Sequence, residues 1–226
     1  MIKIENVETY GWEAAIRGAR NPMNSWDKSD SLFIPKYFCD EDETWALAEK
    51  CGYYAPVIKE NDHRLLTSLA NAGPDHGKFL RMITVSLDIT APLYWWKEFD
   101  TYKVGTVANS CSTMHKIHAK EFEWDDFSFE HLLPDEATEF MKHLVDGLNF
   151  YRAKFIETKD KTYWWQLIQL LPTSYNQRRT VLLNSQVLKS MYHARRNHKL
   201  DEWRDLCEWI KTLPYSELIT DGGKNE

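Results

Sequence analysis

Between Met82 and Lys116 the apolar period of the chain changes once, and that change narrows the architectures open to it. Met82, Ile83, Val85, Leu87 and Ile89 form an apolar, largely alternating run, the pattern of a strand with a buried face. After Pro92 the spacing becomes helical, through Leu93, Trp96, Phe99 and Tyr102 or Lys103. Proline suits a first helical turn, where its missing N–H would have had no partner. The spacing therefore predicts a strand that feeds a helix. Past Lys103 the period is lost, and Gly105, Thr106, Ala108, Asn109, Ser110, Cys111, Ser112 and Thr113 predict a small, polar loop. A loop of that kind at the end of a helix is a common setting for a binding site.

No Pro/Gly/Ser-rich linker divides the 226 residues, so a single domain over residues 1–226 is expected, with 215–226 as a C-terminal tail. Aromatic residues make up 14% and tryptophans number 10. Rings in that quantity bury large apolar areas and exclude a disordered chain. The formal net charge of -6 argues against a nucleic-acid polymer as partner. Cys39, Cys51, Cys111 and Cys207 lie far apart with no C-x-x-C pairing, the usage of reduced thiols. No apolar run approaches the ~20 residues that span a bilayer, and no secretory leader precedes the first strand. A soluble, cytoplasmic protein without membrane partners is expected.

Ile2, Ile4 and Val7 predict a short strand and Trp12 to Arg20 a helix. The turn formers that follow, from Asn21, predict a loop in which Arg17, Arg20, Asn21, Asn24 and Ser25 serve either as ordinary turn and capping groups or as contacts to a ligand. Asp40 to Cys51 and Asp62 to Ala72 read as helices with acidic N-termini, and Phe79 to Thr90 as the long strand. Pro134 to about Lys159 reads as a long amphipathic helix with Phe140, Leu144, Leu148, Tyr151 and Phe155 on one side, suited to central packing or an oligomer interface. A last helix is expected from about Leu200 to Lys211. His115 with His118, and His193 with His198, are spaced like partial zinc sites, but no third or fourth ligand is placed with either pair, so no metal is expected.

Two stretches, Ile89 to Lys116 and the spaced set Leu171-Pro172, Arg178, Asn184 and Arg195, together resemble the flavin-dependent thymidylate synthases, the ThyX family. The first is the strand, Ala91-Pro92, the aromatic helix and the loop, where that family carries R-H-R and then Ser after a fixed interval. Here Thr101-Tyr102-Lys103 holds the place of the triplet, and seven residues separate it from Cys111 at the place of the serine. The second stretch is Leu171-Pro172, Arg178, Asn184 and Arg195, whose three intervals agree with the carboxy-terminal part of that family. The resemblance spans roughly residues 60–210.

It implies an α+β fold, a small mostly antiparallel sheet flanked by long helices, assembled as a homotetramer. The implied activity is that of a methyltransferase acting on a pyrimidine deoxynucleotide of dUMP type by reductive one-carbon transfer, with FAD as cofactor and reduced folate and NADPH as co-substrates. Arg178, Arg195, Glu98 and Lys103 would bind substrate; His76, Asn184 and Lys103 would bind the cofactor; Arg195 and Cys111 would take catalytic roles. The alternative is a non-catalytic nucleotide-binding or interaction protein on the same fold, because the triplet keeps a positive charge only at Lys103.

The residues themselves speak to four of these positions. Val187, Leu188, Met191 and Tyr192 line one side of the helix after Asn184, and Arg195 continues that stripe. A guanidinium there needs a carboxylate, a phosphate or a ligand carbonyl. Asn184 is equally an N-cap. Cys111 is either a reactive thiol near positive charge or a small buried residue closing the loop. His76 is either a flavin contact or a solvated turn residue.

Overall fold

The computed structural model describes residues 2–33 and 56–220. The expected helix Asp40 to Cys51, together with Cys39, Cys51 and residues 221–226, lies outside the described residues. The fold is α+β: a four-stranded antiparallel sheet with eight α-helices among the described residues. The strands are β1 (Lys3–Tyr10), β2 (Thr84–Pro92), β3 (Thr106–Ser110) and β4 (Asn176–Asn184), in the order β1-β2-β4-β3. The helices are α1 (Trp12–Arg20), α2 (Glu60–Asn71), α3 (Leu93–Phe99), α4 (Glu136–Thr158), α5 (Lys161–Leu170), α6 (Ser185–Arg195), α7 (Asp201–Ile210) and α8 (Glu217–Thr220). No helix among the described residues is long and apolar enough to cross a membrane.

The chain forms two compact units. The first comprises Ile89–Thr101, Asn109–Thr180 and the described part of Met1–Lys3. The second comprises Tyr102–Ala108 and the described parts of Ile4–Asp88 and Val181–Glu226.

In the first unit, Ile117, Phe122, Phe127, Met141, Val145, Leu148 and Leu167 make a core beneath α4 and α5. α4 ends close to its expected limit because Lys159 turns left-handed at φ 57, and a further helix that the sequence did not announce, α5, begins where Asp160 accepts from the Thr162 N–H at 2.8 Å. Of the expected stripe on α4, Leu148 is buried and Leu144 and Tyr151 pack against this core, joined by Met141 and Val145, whereas Phe140 is 72% exposed. Helix α3 is short and aromatic. Trp95, Trp96 and Phe99 are all buried, with Trp95 and Trp96 meeting edge to face at 4.9 Å. It stops at Phe99, four residues before Lys103, because Thr101 turns back onto the Glu98 carbonyl through both its N–H (3.1 Å) and its hydroxyl (2.7 Å). That local bond competes with helix continuation.

In the second unit, Trp12, Ile16, Leu66, Phe79, Leu80, Ile83 and Leu218 belong to one core. Phe79 and Leu80 are adjacent and both buried, which strand alternation forbids; the chain there is a 3-10 turn, Gly77–Arg81, and β2 begins only at Thr84. Of the segment read as a tail, residues 215–220 are packed, with Leu218 and Ile219 buried and the Tyr215 hydroxyl between the Ile58 N–H and the Pro56 carbonyl. The turn-forming segment after α1 is tied to α2 by charge. Arg20 (4% exposed) donates from Nε to the fully buried Asp62 at 2.6 Å, and Asp62 also accepts from Ser29, from the Asp30 N–H, and from both the N–H and the hydroxyl of Ser31. Asp30 answers by accepting the Asn61 and Asp62 N–H groups in the first turn of α2. Burial would raise the Asp62 pKa, but the hydrogen bonds from Ser31, Ser29 and Arg20 outweigh it and hold the carboxyl below its ordinary value.

Candidate functional site

The sequence-predicted residues fall into two groups, one in each unit. In the first unit, β4 decides which arginine turns inward. Alternate residues Gln177, Val181 and Leu183 are buried, so Arg179 shares their face while Arg178 is exposed. Arg178, the arginine that the resemblance assigned to substrate, is thus the outward one. The Arg179 side chain is only 14% exposed. Its guanidinium carbon stands 4.2 Å over the Trp96 ring, Nη1 donates to Asp100 at 2.7 Å, and Nε donates to Gln177 Oε1 at 3.0 Å. A cation held so fully by its own chain is structural.

Cys111 sits just past β3, where its N–H donates to the Arg178 carbonyl at 2.9 Å and its carbonyl accepts from Gln177 Nε2 at 2.8 Å. The residue is exposed, which removes the reading of a small buried closure. The contrasting thiol is Cys207, buried on α7, whose pKa is pushed up to about 11 chiefly by that burial. Glu98 is half-buried in the last turn of α3. His115 faces the Ser112 hydroxyl at 2.9 Å, and His118 packs edge to face on Phe155. Among the described residues no group of three or more His, Cys, Asp and Glu side chains could hold a metal ion.

In the second unit, Lys103, Asn184 and Arg195 gather along α6 and the segment that follows α3. Asn184 does cap α6, its Oδ1 accepting from the Val187 N–H at 3.0 Å. Its amide nitrogen lies against Gly105, which turns at φ +80, and a Cβ on Gly105 would stand only 2.5 Å from Asn184 Nδ2. The segment thus approaches the helix so closely that only glycine fits.

At the other end of α6, Leu188, Met191 and Tyr192 are buried and Arg195 is half-buried. Its Nε donates to the Tyr102 hydroxyl at 3.0 Å. Its guanidinium carbon lies 4.6 Å from the Trp203 ring and 5.7 Å from that of Tyr102. The Trp203 indole is fully buried and 5.9 Å from the Tyr102 ring. Lys103 is exposed beside Tyr102, and His76 is exposed on the turn leading into Gly77–Arg81, which packs on α6. Lys189 donates to the Ala70 carbonyl in the last turn of α2 at 3.0 Å. That is a favourable position for a cation.

Sequence reasoning missed Tyr102 and Trp203 as parts of this site. Tyr102 stood out as a departure from a charged triplet, and Trp203 as ordinary core. The available signal was that Arg195 continues an apolar stripe and that aromatic faces are common partners of such a guanidinium.

The sheet, its flanking helices and the arginine-bearing helix define an α+β protein with the fold of the flavin-dependent thymidylate synthases. Among solved structures it is similar to ThyX from Helicobacter pylori with FAD and dUMP, at TM-score 0.67 and 17% identity, covering 100% of each chain. A second Helicobacter pylori ThyX complexed with FAD and dUMP matches at TM-score 0.64 and 16% identity, over 97% of this chain and 96% of that one. The UMP/dUMP methylase PolB from Streptomyces cacaoi, bound with 5-Br dUMP, matches at TM-score 0.61 and 13% identity, over 98% and 95%. No protein-family model matches the chain, and no curated protein matches it significantly.

Proposed function

We propose that this protein binds a pyrimidine deoxynucleotide of dUMP type together with FAD, and transfers a one-carbon unit reductively to the pyrimidine ring in the cytoplasm. The observation that carries the reading is Arg195: a half-buried guanidinium held by Tyr102 and Trp203, in a fold of which two solved examples are complexes with FAD and dUMP. Such a group suits a phosphate or a uracil carbonyl, both of which it meets with paired N–H donors. Lys103, exposed beside Tyr102, would add charge to the substrate contacts, and the resemblance gives Arg178 and Glu98 of the other unit the same assignment.

For the flavin, His76 and Lys103 fit as exposed donors. Asn184 caps α6 through its oxygen, so its amide nitrogen would be the flavin contact. When bound, the reduced flavin would supply the hydride and a folate the carbon. The chain's own task is to place the pyrimidine and to hold its anionic end.

A second reading, a nucleotide-binding module without catalysis, is favoured by one feature. Thr101 and Tyr102 supply no cation, and Arg179 is engaged by Asp100. Thermal shift with FAD and with dUMP separates the two, since a ligand at 100 times its dissociation constant stabilises by about 2.7 kcal/mol. Stabilisation by both, with flavin absorbance retained after desalting, supports the enzyme. Stabilisation by dUMP alone supports the module, and no response to either ligand overturns both readings.

The assembly belongs to the same proposal. Phe140, Phe150, Ile156, Trp165 and Leu170 are exposed along α4 and α5, an unusual concentration of surface apolar groups. A homotetramer that covers them should scatter light as four times the 26.7 kDa chain, whereas a monomer at micromolar concentration would overturn the shared assembly.

A further inference from the structure

We infer that Tyr102 is a positioning residue for ligand binding, acting through Arg195 rather than on the ligand itself. The inference rests on the nucleotide reading above and deepens it. An arginine side chain carries several rotatable bonds, and immobilising them costs conformational entropy at the moment of binding. Here that ordering is supplied in the folded chain. The Tyr102 hydroxyl accepts from Nε at 3.0 Å, which sets the rotation of the guanidinium plane. The Trp203 indole, 0% exposed, lies 4.6 Å from the guanidinium carbon and supports one face. Tyr102 and Trp203 also contact each other at 5.9 Å, so the two supports are coupled.

The guanidinium whose plane is set in this way is the group that the nucleotide reading assigns to a phosphate or a uracil carbonyl. Removing the hydroxyl alone leaves the ring and its packing but frees the plane to rotate. Affinity for an anionic nucleotide should fall while the fold persists.

The test is a double-mutant cycle read by calorimetric titration with dUMP. Tyr102→Phe is expected to weaken dUMP binding roughly three- to tenfold, the effect of losing one hydrogen bond, with a melting temperature close to that of the parent chain. In an Arg195→Ala background the same Tyr102→Phe change should have no effect, because its action passes through the guanidinium. Unchanged affinity in Tyr102→Phe, when Arg195→Ala does weaken binding, overturns the positioning role and leaves the nucleotide reading standing. Equal weakening in both backgrounds also overturns it, since Tyr102 would then act on the ligand directly. If the parent chain binds no dUMP, both the reading and the inference fail. Should Tyr102→Phe melt early, Tyr102→His, which keeps a ring with a hydrogen-bonding atom, replaces it, with partial retention of affinity expected and complete loss counting against the role.

Discussion

Replacing Asp62 by alanine should lower the free energy of unfolding by about 3–5 kcal/mol, the cost of stranding one member of a buried ion pair. The Arg20 guanidinium is 4% exposed and would be left facing a void. Arg20 Nη2 already has no partner, so the site has no spare acceptor with which to compensate. Ser29, Ser31 and the Asp30 and Ser31 N–H groups would lose their shared acceptor as well. For a chain of this size the melting temperature should fall by roughly 6–20 °C, and a loss below ~1 kcal/mol would show that the pair contributes nothing net. Acid should act in the same direction as the substitution. The folded carboxyl has a depressed pKa, so its contribution is present above the unfolded carboxylate value near ~3.9 and disappears as pH falls through the folded value.

Arg195→Ala should weaken dUMP binding roughly ten- to a hundredfold, the loss of a charge-assisted hydrogen bond worth ~1.5–3 kcal/mol. On the nucleotide reading, in which the ligand rather than an internal acid is the partner of Arg195, stability should change far less. Of the contacts to its aromatic neighbours, the substitution removes a cation–π contact with Trp203, worth about 0.5–2 kcal/mol, and a hydrogen bond to the half-buried Tyr102 hydroxyl. Titration and thermal melting on the same variant therefore distinguish a ligand-binding arginine from an internal ion-pair partner. A stability loss near 3–5 kcal/mol with unchanged dUMP affinity would assign Arg195 to the fold alone.

How much of this could be read in the sequence depends on the element. Trp12–Arg20 is helical at both predicted limits, because its apolar residues keep one period and turn formers follow. The helix after Asn184 and the continuation of its stripe to Arg195 were legible for the same reason. β3 was read as a loop because it is short and nearly all exposed, Thr106–Ser110, and shows no apolar alternation. It is a strand because a neighbour supplies its hydrogen bonds. The choice between Arg178 and Arg179 was not available from spacing to a distant motif, since adjacent residues on a strand face opposite ways. It follows only once Gln177, Val181 and Leu183 are seen inside. Helix α5 was missed because a single left-handed residue, Lys159, separates it from a helix of 23 residues. The Tyr102–Arg195–Trp203 group joins three segments, and no local pattern announces a pairing over that distance.

The strand order β1-β2-β4-β3 also fixes when the sheet can exist as a chain leaves the ribosome. β1 and β2 can pair once Pro92 has emerged, but β3, finished at Ser110, has β4 as its only neighbour among the described residues, and β4 is complete only at Asn184. Through the synthesis of the whole α4–α5 hairpin, β2 offers one open edge and β3 two. Open edges are templates for pairing with other chains. The polar, short character of β3 keeps its edge a poor template during that interval, so the feature that hid this strand from the sequence reading also protects the nascent protein.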